Sequence, residues 1–208
     1  MPIITQISIQ KKNKSRVSIF LDGEFACGMQ TIVVAENRLK VGMQIDAGKL
    51  KELSAISDIE AAFSKAVKLI SKVLKTEVEL KNYLIEKGYT LETVDTVVQK
   101  LKSYNYIDDQ GYALAYINEK KHQSGKKKLY YELKQKGISD KILDKVLDTI
   151  SKEEEKEVII KLSIKYIKGK VLDIKTKKNL ANYLYSRGFE WDSYIDVIAD
   201  LFGDGNDD

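Results

Sequence analysis

From residue 57 onward, apolar positions recur at helical spacing, and one ten-residue pattern is written three times, at Leu80–Tyr89, Leu129–Ile138 and Leu180–Phe189. Each copy carries a leucine, a second leucine four residues on, a cation, a glycine and an apolar residue. The spacing puts both leucines on one helical face. The cation falls in the last turn, where the helix dipole favours positive charge. The glycine takes the left-handed position that ends the helix. Thr90 or Ser139 then caps a following helix. Past each glycine the likeness continues, with apolar residues six, nine, ten and thirteen positions on: Val94, Val97, Val98 and Leu101; Leu143, Val146, Leu147 and Ile150; Tyr194, Val197, Ile198 and Leu201. Helix, glycine stop and helix thus return about every 50 residues, the signature of a repeat architecture.

A further amphipathic stretch precedes each pair. Ile59, Phe63, Ala66, Ile70 and Val73 share one face; so do Tyr112, Ala113, Tyr116 and Ile117, and Val158, Ile159, Leu162 and Tyr166. Ser57 with Glu60, Thr76 with Glu79, and Ser151 with Glu154 fit capping boxes and predict three helix starts. Three three-helix repeats are therefore expected at 58–105, 106–151 and 152–203, stacked on a continuous core. Residues 1–56 read differently. Ile7 and Ile9 alternate with polar residues, and Arg16–Leu21 and Glu24–Met29 flank Asp22-Gly23, a hairpin signal whose two-residue turn would set Phe20 opposite Phe25. Thr31–Leu39 reads as a short helix, and Asp46 as the cap of another through Lys49–Leu53. The fold class is mainly α: an array of three-helix repeats behind a small β-containing module. Residues 204–208 form an acidic tail, expected to be disordered.

Composition narrows the function. Across 208 residues the net charge is only +4, so distribution matters more than total. A single cysteine, Cys27, excludes an internal disulfide framework and fits a reducing, cytoplasmic setting. No apolar run approaches a membrane span. The lone histidine, His122, has no spaced partner for a triad or metal site. Asp108-Asp109 reads as a helix cap; a metal-dependent nuclease is the alternative it raises. No enzyme, metal or cofactor is expected.

Lysine is concentrated instead. Lys120, Lys121, Lys126, Lys127, Lys128, Lys134 and Lys136 stand against Glu132 alone, and Lys165, Lys168, Lys170, Lys175, Lys177 and Lys178 against Asp173 alone. Both clusters fall where a leading helix meets the repeated one. Stacking could align them into a stripe that holds nucleic-acid phosphate without reading bases. Tyr130, Tyr131, Tyr183 and Tyr185 lie beside these cations and could stack on bases or anchor an interface. Tyr83 and Tyr183 hold equivalent positions and read as packing residues.

Nearly the whole chain resembles the RecX family, bacterial regulators of the RecA recombinase, most closely in its middle unit and least in its third. Tyr106-Ile107-Asp108-Asp109 with Tyr112, Ala113 and Tyr116 is similar to one family signature. Gly125, Leu129, Glu132-Leu133 and Lys136-Gly137-Ile138 resemble another. Lys75-Thr76 stands where the family has Arg-Ser, and the hairpin Leu21-Asp22-Gly23-Glu24 resembles an extension found in some members. The resemblance implies an elongated, monomeric helical array in the groove of the RecA–DNA filament. It implies suppression of ATP hydrolysis and strand exchange in homologous recombination, DNA repair and the SOS response. The ten lysines Lys120, Lys121, Lys126, Lys127, Lys128, Lys134, Lys136, Lys165, Lys168 and Lys170 are the candidate contacts to filament or to single- or double-stranded DNA. Asp108, Tyr112, Ala113, Tyr116, Gly125, Glu132, Leu133 and Gly137 are expected to be mainly structural. A free-standing non-specific DNA-binding protein and a protein-interaction scaffold are the rival readings.

Overall fold

The computed structural model describes residues 1–11 and 13–203; the expected acidic tail and Lys12 lie outside them. The chain divides into two compact units, 1–107 and 108–208.

In the first unit, β1 (Ile4–Gln10), β2 (Asn13–Leu21) and β3 (Glu24–Gln30) form an antiparallel meander in chain order. Asp22 and Gly23 both take positive φ, +48° and +92°, the mirror-image turn whose twist matches a hairpin. Phe20 lies opposite Phe25, as the two-residue turn requires, with ring centroids 5.8 Å apart. Ile19 then pairs with Cys27, leaving Ala26 as the extra residue of a bulge. One sheet face buries Ile4, Val17, Ile19 and Met29 beneath Val33 of α1 (Thr31–Glu36) and Leu50 and Leu53 of α2 (Ala47–Ile70). Cys27 packs at the edge of this core, where burial pushes its thiol pKa up. Ile9, expected to alternate inward, is instead 66 % exposed.

Helix α2 corrects the expected boundary at residue 57. It runs unbroken for 24 residues from its Asp46 cap, so no helix starts at Ser57. Ser57 is fully buried, and its hydroxyl accepts the Gln30 N–H at 2.6 Å where the chain leaves the sheet. Arg16 on β2 pairs with Asp58 at 3.1 Å. The same helix then supplies Ala62 and Ala66 to a second core with α3 (Glu77–Glu86) and α4 (Leu91–Ser103). Its other members are Leu80, Leu84, Val94, Val97, Val98, Leu101 and Ile107.

The second unit holds α5 (Asp109–Lys120), α6 (Lys126–Gln135) and α7 (Asp140–Leu147), then α8 (Lys152–Ile167), α9 (Ile174–Ser186) and α10 (Trp191–Phe202). Ala113, Ile117, Leu129, Leu133, Leu143 and Val146 centre one core; Ile159, Leu180, Leu184, Phe189, Tyr194, Val197 and Ile198 centre the next. Each middle helix stops identically. Gly88, Gly137 and Gly188 have φ of +86°, +84° and +82°. The residue after each glycine donates its N–H back to the second leucine's carbonyl: Tyr89 to Leu84, Ile138 to Leu133, Phe189 to Leu184, at 3.2–3.3 Å. This is the six-to-one bond of a Schellman cap. Both halves of the capping boxes at Thr76/Glu79 and Ser151/Glu154 are formed. Ser139 holds the N-cap position of α7 without a side-chain cap bond. Among the described residues no helix is long and apolar enough to cross a membrane.

Candidate nucleic-acid interface

The three consecutive lysines of the first cluster begin α6, and that beginning is built into the next three-helix set. Gly125, the N-cap, donates its N–H to the Arg187 carbonyl at 2.9 Å, and Lys127 donates to the Gly188 carbonyl at 3.2 Å. Lys126 N–H reaches a Glu155 carboxylate oxygen at 3.4 Å. No side chain of its own caps this helix; the end of α9 does so. The approach requires both glycines. A Cβ on Gly125 would run into the Gly188 carbonyl and lie 2.6 Å from the Phe189 nitrogen. One on Gly188 would strike the Lys128 backbone. The amides of Gly125, Lys126 and Lys127, of the kind a helix N-terminus would ordinarily offer an anion, are thus engaged within the protein.

Across this junction Lys127 Nζ lies 5.8 Å from the centre of the Tyr185 ring. Arg187 stands over Tyr183 at 5.0 Å, Tyr183 stacks on Tyr166 at 4.8 Å, and Lys170 caps Tyr166 at 3.3 Å. A cation just before the terminal glycine meets a tyrosine in every copy: Lys87 on Tyr83 at 5.2 Å, Lys136 on Tyr112 and Tyr116 at 5.7 and 5.8 Å, Arg187 on Tyr183. Such contacts hold a charged head in place beyond what the helix dipole does.

Several of the remaining predicted lysines are paired with carboxylates. Lys120 pairs with Glu119 at 2.9 Å and Lys121 with Glu154 at 3.3 Å. Lys134 and the Tyr130 hydroxyl both bond Asp140, which holds that carboxyl below its ordinary range. Lys165 and Lys168 are exposed on α8 and at its end. Beyond them Val171, Leu172 and Ile174 are 77 %, 51 % and 87 % exposed, an apolar edge that the lysine count masked. His122 borders a cavity of about 130 Å³ with Lys121, Glu154 and Phe189.

The signature residues take up structural positions. Asp108 accepts the Gly111 N–H at 2.9 Å as the cap of α5. Ala113 and Leu133 are fully buried. Tyr116 donates its hydroxyl to Glu132 at 2.9 Å; burial, then that bond, pushes its pKa up to about 12. Tyr112 lies under Lys136, and Gly137 ends α6. Among the described residues no group of three or more His, Cys, Asp or Glu could hold a metal ion. Arg187 is the participant that charge clusters alone did not single out, though it occupies the cation position of the repeated pattern.

Fold and surface together define a helical-repeat protein with an N-terminal sheet module. Family models for the regulatory protein RecX N-terminal domain, the first RecX three-helix domain and the second match residues 2–46, 62–101 and 108–147. The regulatory protein RecX of Clostridium beijerinckii is 35 % identical, with all of both chains covered. That of Clostridium tetani is 33 % identical over 97 % of this chain and 96 % of its own. A crystal structure of regulatory protein RecX superposes with a TM-score of 0.72 at 25 % identity, covering 96 % of this chain and 100 % of the other. A RecX structure from Lactobacillus salivarius, at 23 % identity and a TM-score of 0.65, covers 70 % of this chain and 96 % of its own and shares the fold. The chain belongs to the RecX family of regulatory proteins.

Proposed function

We propose that this chain is a negative modulator of the RecA recombinase, binding along the groove of the RecA–DNA filament and slowing ATP hydrolysis and strand exchange by occupancy. Family membership supports RecA as the partner. The observation that carries the surface assignment is the junction of α6 with α9. Lys126, Lys127 and Lys128 are clamped there to a helix that contains lysines and no carboxylate between Ile174 and Ser186. A surface of this kind suits a polyanion, and its binding weakens as salt releases the advantage of displaced counterions. The activity is that of a bound surface, with no bond made or broken by this protein.

Co-sedimentation with RecA filaments assembled on single-stranded DNA tests the reading. The wild-type chain is expected in the pellet at moderate salt, and a variant with Lys126, Lys127 and Lys128 changed to Glu is expected to need roughly tenfold or more protein to reach the same occupancy. Identical binding curves would remove the α6 lysines from the interface; no pelleting of the wild type would end the proposal.

A further inference from the structure

Two tyrosines on the α6–α9 surface are more exposed than their neighbours, and they flank one lysine. Tyr131 is 57 % exposed and Tyr185 is 64 % exposed. Lys127 is one helical turn before Tyr131, so the two share a face of α6, and helical side chains lean toward the preceding turn, which carries the Tyr131 ring toward Lys127. The Lys127 ammonium is itself 5.8 Å from the Tyr185 ring, a distance at which it borders that ring and leaves much of it in solvent. Neither tyrosine is loose. Tyr130 meets Tyr131 nearly at right angles, centroids 5.5 Å apart, and the buried Tyr194 senses Tyr185 closely enough for its pKa to be raised by it, after burial.

The two helices that carry the pair supply mostly cations. Lys178 lies two turns before Tyr185 on the same face of α9, and α9 has no carboxylate. On α6 the one acidic residue, Glu132, accepts the Tyr116 hydroxyl, while Lys134, a turn beyond Tyr131, is held by Asp140. Cation and flat ring therefore alternate across two helices: Lys178, Tyr185, Lys127, Tyr131. An apolar protein partner would find lysines in its way. Duplex DNA would present phosphates to the lysines and have no use for the rings. A strand with unpaired bases satisfies both, because every base has a face to stack and every link a phosphate.

We propose that Tyr131 and Tyr185 form a stacking platform for unpaired bases of single-stranded nucleic acid, with Lys127 and Lys178 holding the intervening phosphates. The proposal rests on the reading that this surface meets nucleic acid, and adds that it distinguishes strands by their bases. The Gly125–Gly188 contact brings the start of α6 to the end of α9, the two helices that carry the rings.

The test uses the full chain without RecA, so its failure is separate from failure of filament regulation. Affinities are measured by anisotropy for a labelled oligothymidylate and for an abasic oligomer with the same number of phosphates. The wild type is expected to bind oligothymidylate roughly tenfold or more tightly, the scale on which stacking one or two bases changes affinity. Changing both tyrosines to Leu should abolish that ratio while leaving abasic binding unchanged, and changing both to Phe should restore it. Lys127→Gln should weaken both ligands alike. Equal wild-type affinity for the two oligomers, a ratio that survives in the Leu variant, or no binding of either would each overturn the platform.

Discussion

Gly88, Gly125, Gly137 and Gly188 look interchangeable in a sequence, but they differ in what surrounds them. Gly88 and Gly188 both need left-handed φ, yet a Cβ meets open space at Gly88 and the Lys128 backbone at Gly188. Gly88→Ala is expected to cost about 1 kcal/mol, the left-handed penalty alone. Gly188→Ala should cost a further ~1–3 kcal/mol of overpacking. Gly125 has an ordinary φ of −76°, so the whole effect of Gly125→Ala, also ~1–3 kcal/mol, comes from the backbone of α9. Urea unfolding followed by circular dichroism ranks the three, and a Gly125→Ala no weaker than wild type would remove the clamp. The terminal glycines were legible because a Schellman cap is made of residues within one turn. The role of Gly125 was not, since its partner lies far along the chain. Ser163 is a second contrast: it is fully buried, and its hydroxyl has no hydrogen-bond partner among the described residues. Ser163→Ala should raise stability by about 1 kcal/mol, the cost of desolvating an unmatched hydroxyl.

Between elements, tertiary partners decide which local signals prevail. Ser57-x-x-Glu60 is as good a capping box on paper as Thr76-x-x-Glu79 or Ser151-x-x-Glu154. It lies within α2 because Leu53–Asp58 contains no helix breaker and the serine hydroxyl serves the Gln30 amide instead. Ser57→Ala would leave that partly buried amide without this acceptor and is expected to cost about 1–3 kcal/mol by urea unfolding. Charge links α3 to α4 as well. Glu77 bonds Lys102 at 2.8 Å and Lys81 at 3.1 Å, and Lys81 bonds Asp95 at 3.0 Å. The hydrogen bond from Lys102, then that from Lys81, holds the Glu77 pKa below its ordinary 4.5. A carboxyl lowered in the folded state contributes stability above its unfolded pKa and loses it as pH falls through the folded one. Acid unfolding of Glu77→Gln should therefore show a shallower dependence below about pH 4.5. Tyr116 works in the opposite direction. With a folded pKa raised to about 12, its contribution is complete below the usual tyrosine range near ~10 and is lost as pH rises through the folded value. Tyr116→Phe should abolish the latest-titrating tyrosinate absorbance, and its stability deficit should shrink in alkali.

At the scale of the molecule, the class of fold was legible, since it comes from local pattern and composition. Which lysines are paired with carboxylates was not, because charge counting along a chain cannot see Glu154 or Asp140 folding back on Lys121 and Lys134. What we propose is narrower: α6 and the end of α9, joined through backbone, present cations and tyrosines, and a surface of this kind would regulate by occupying a filament. The measurement that bears on it most directly is RecA ATP hydrolysis on single-stranded DNA, titrated with the wild-type chain and with the Lys126, Lys127, Lys128 to Glu variant. The account predicts a rate that falls progressively with the wild type and a variant titration displaced by roughly tenfold. A recombinase that hydrolyses ATP at full rate in saturating wild-type protein, or one slowed equally by the variant, would contradict it.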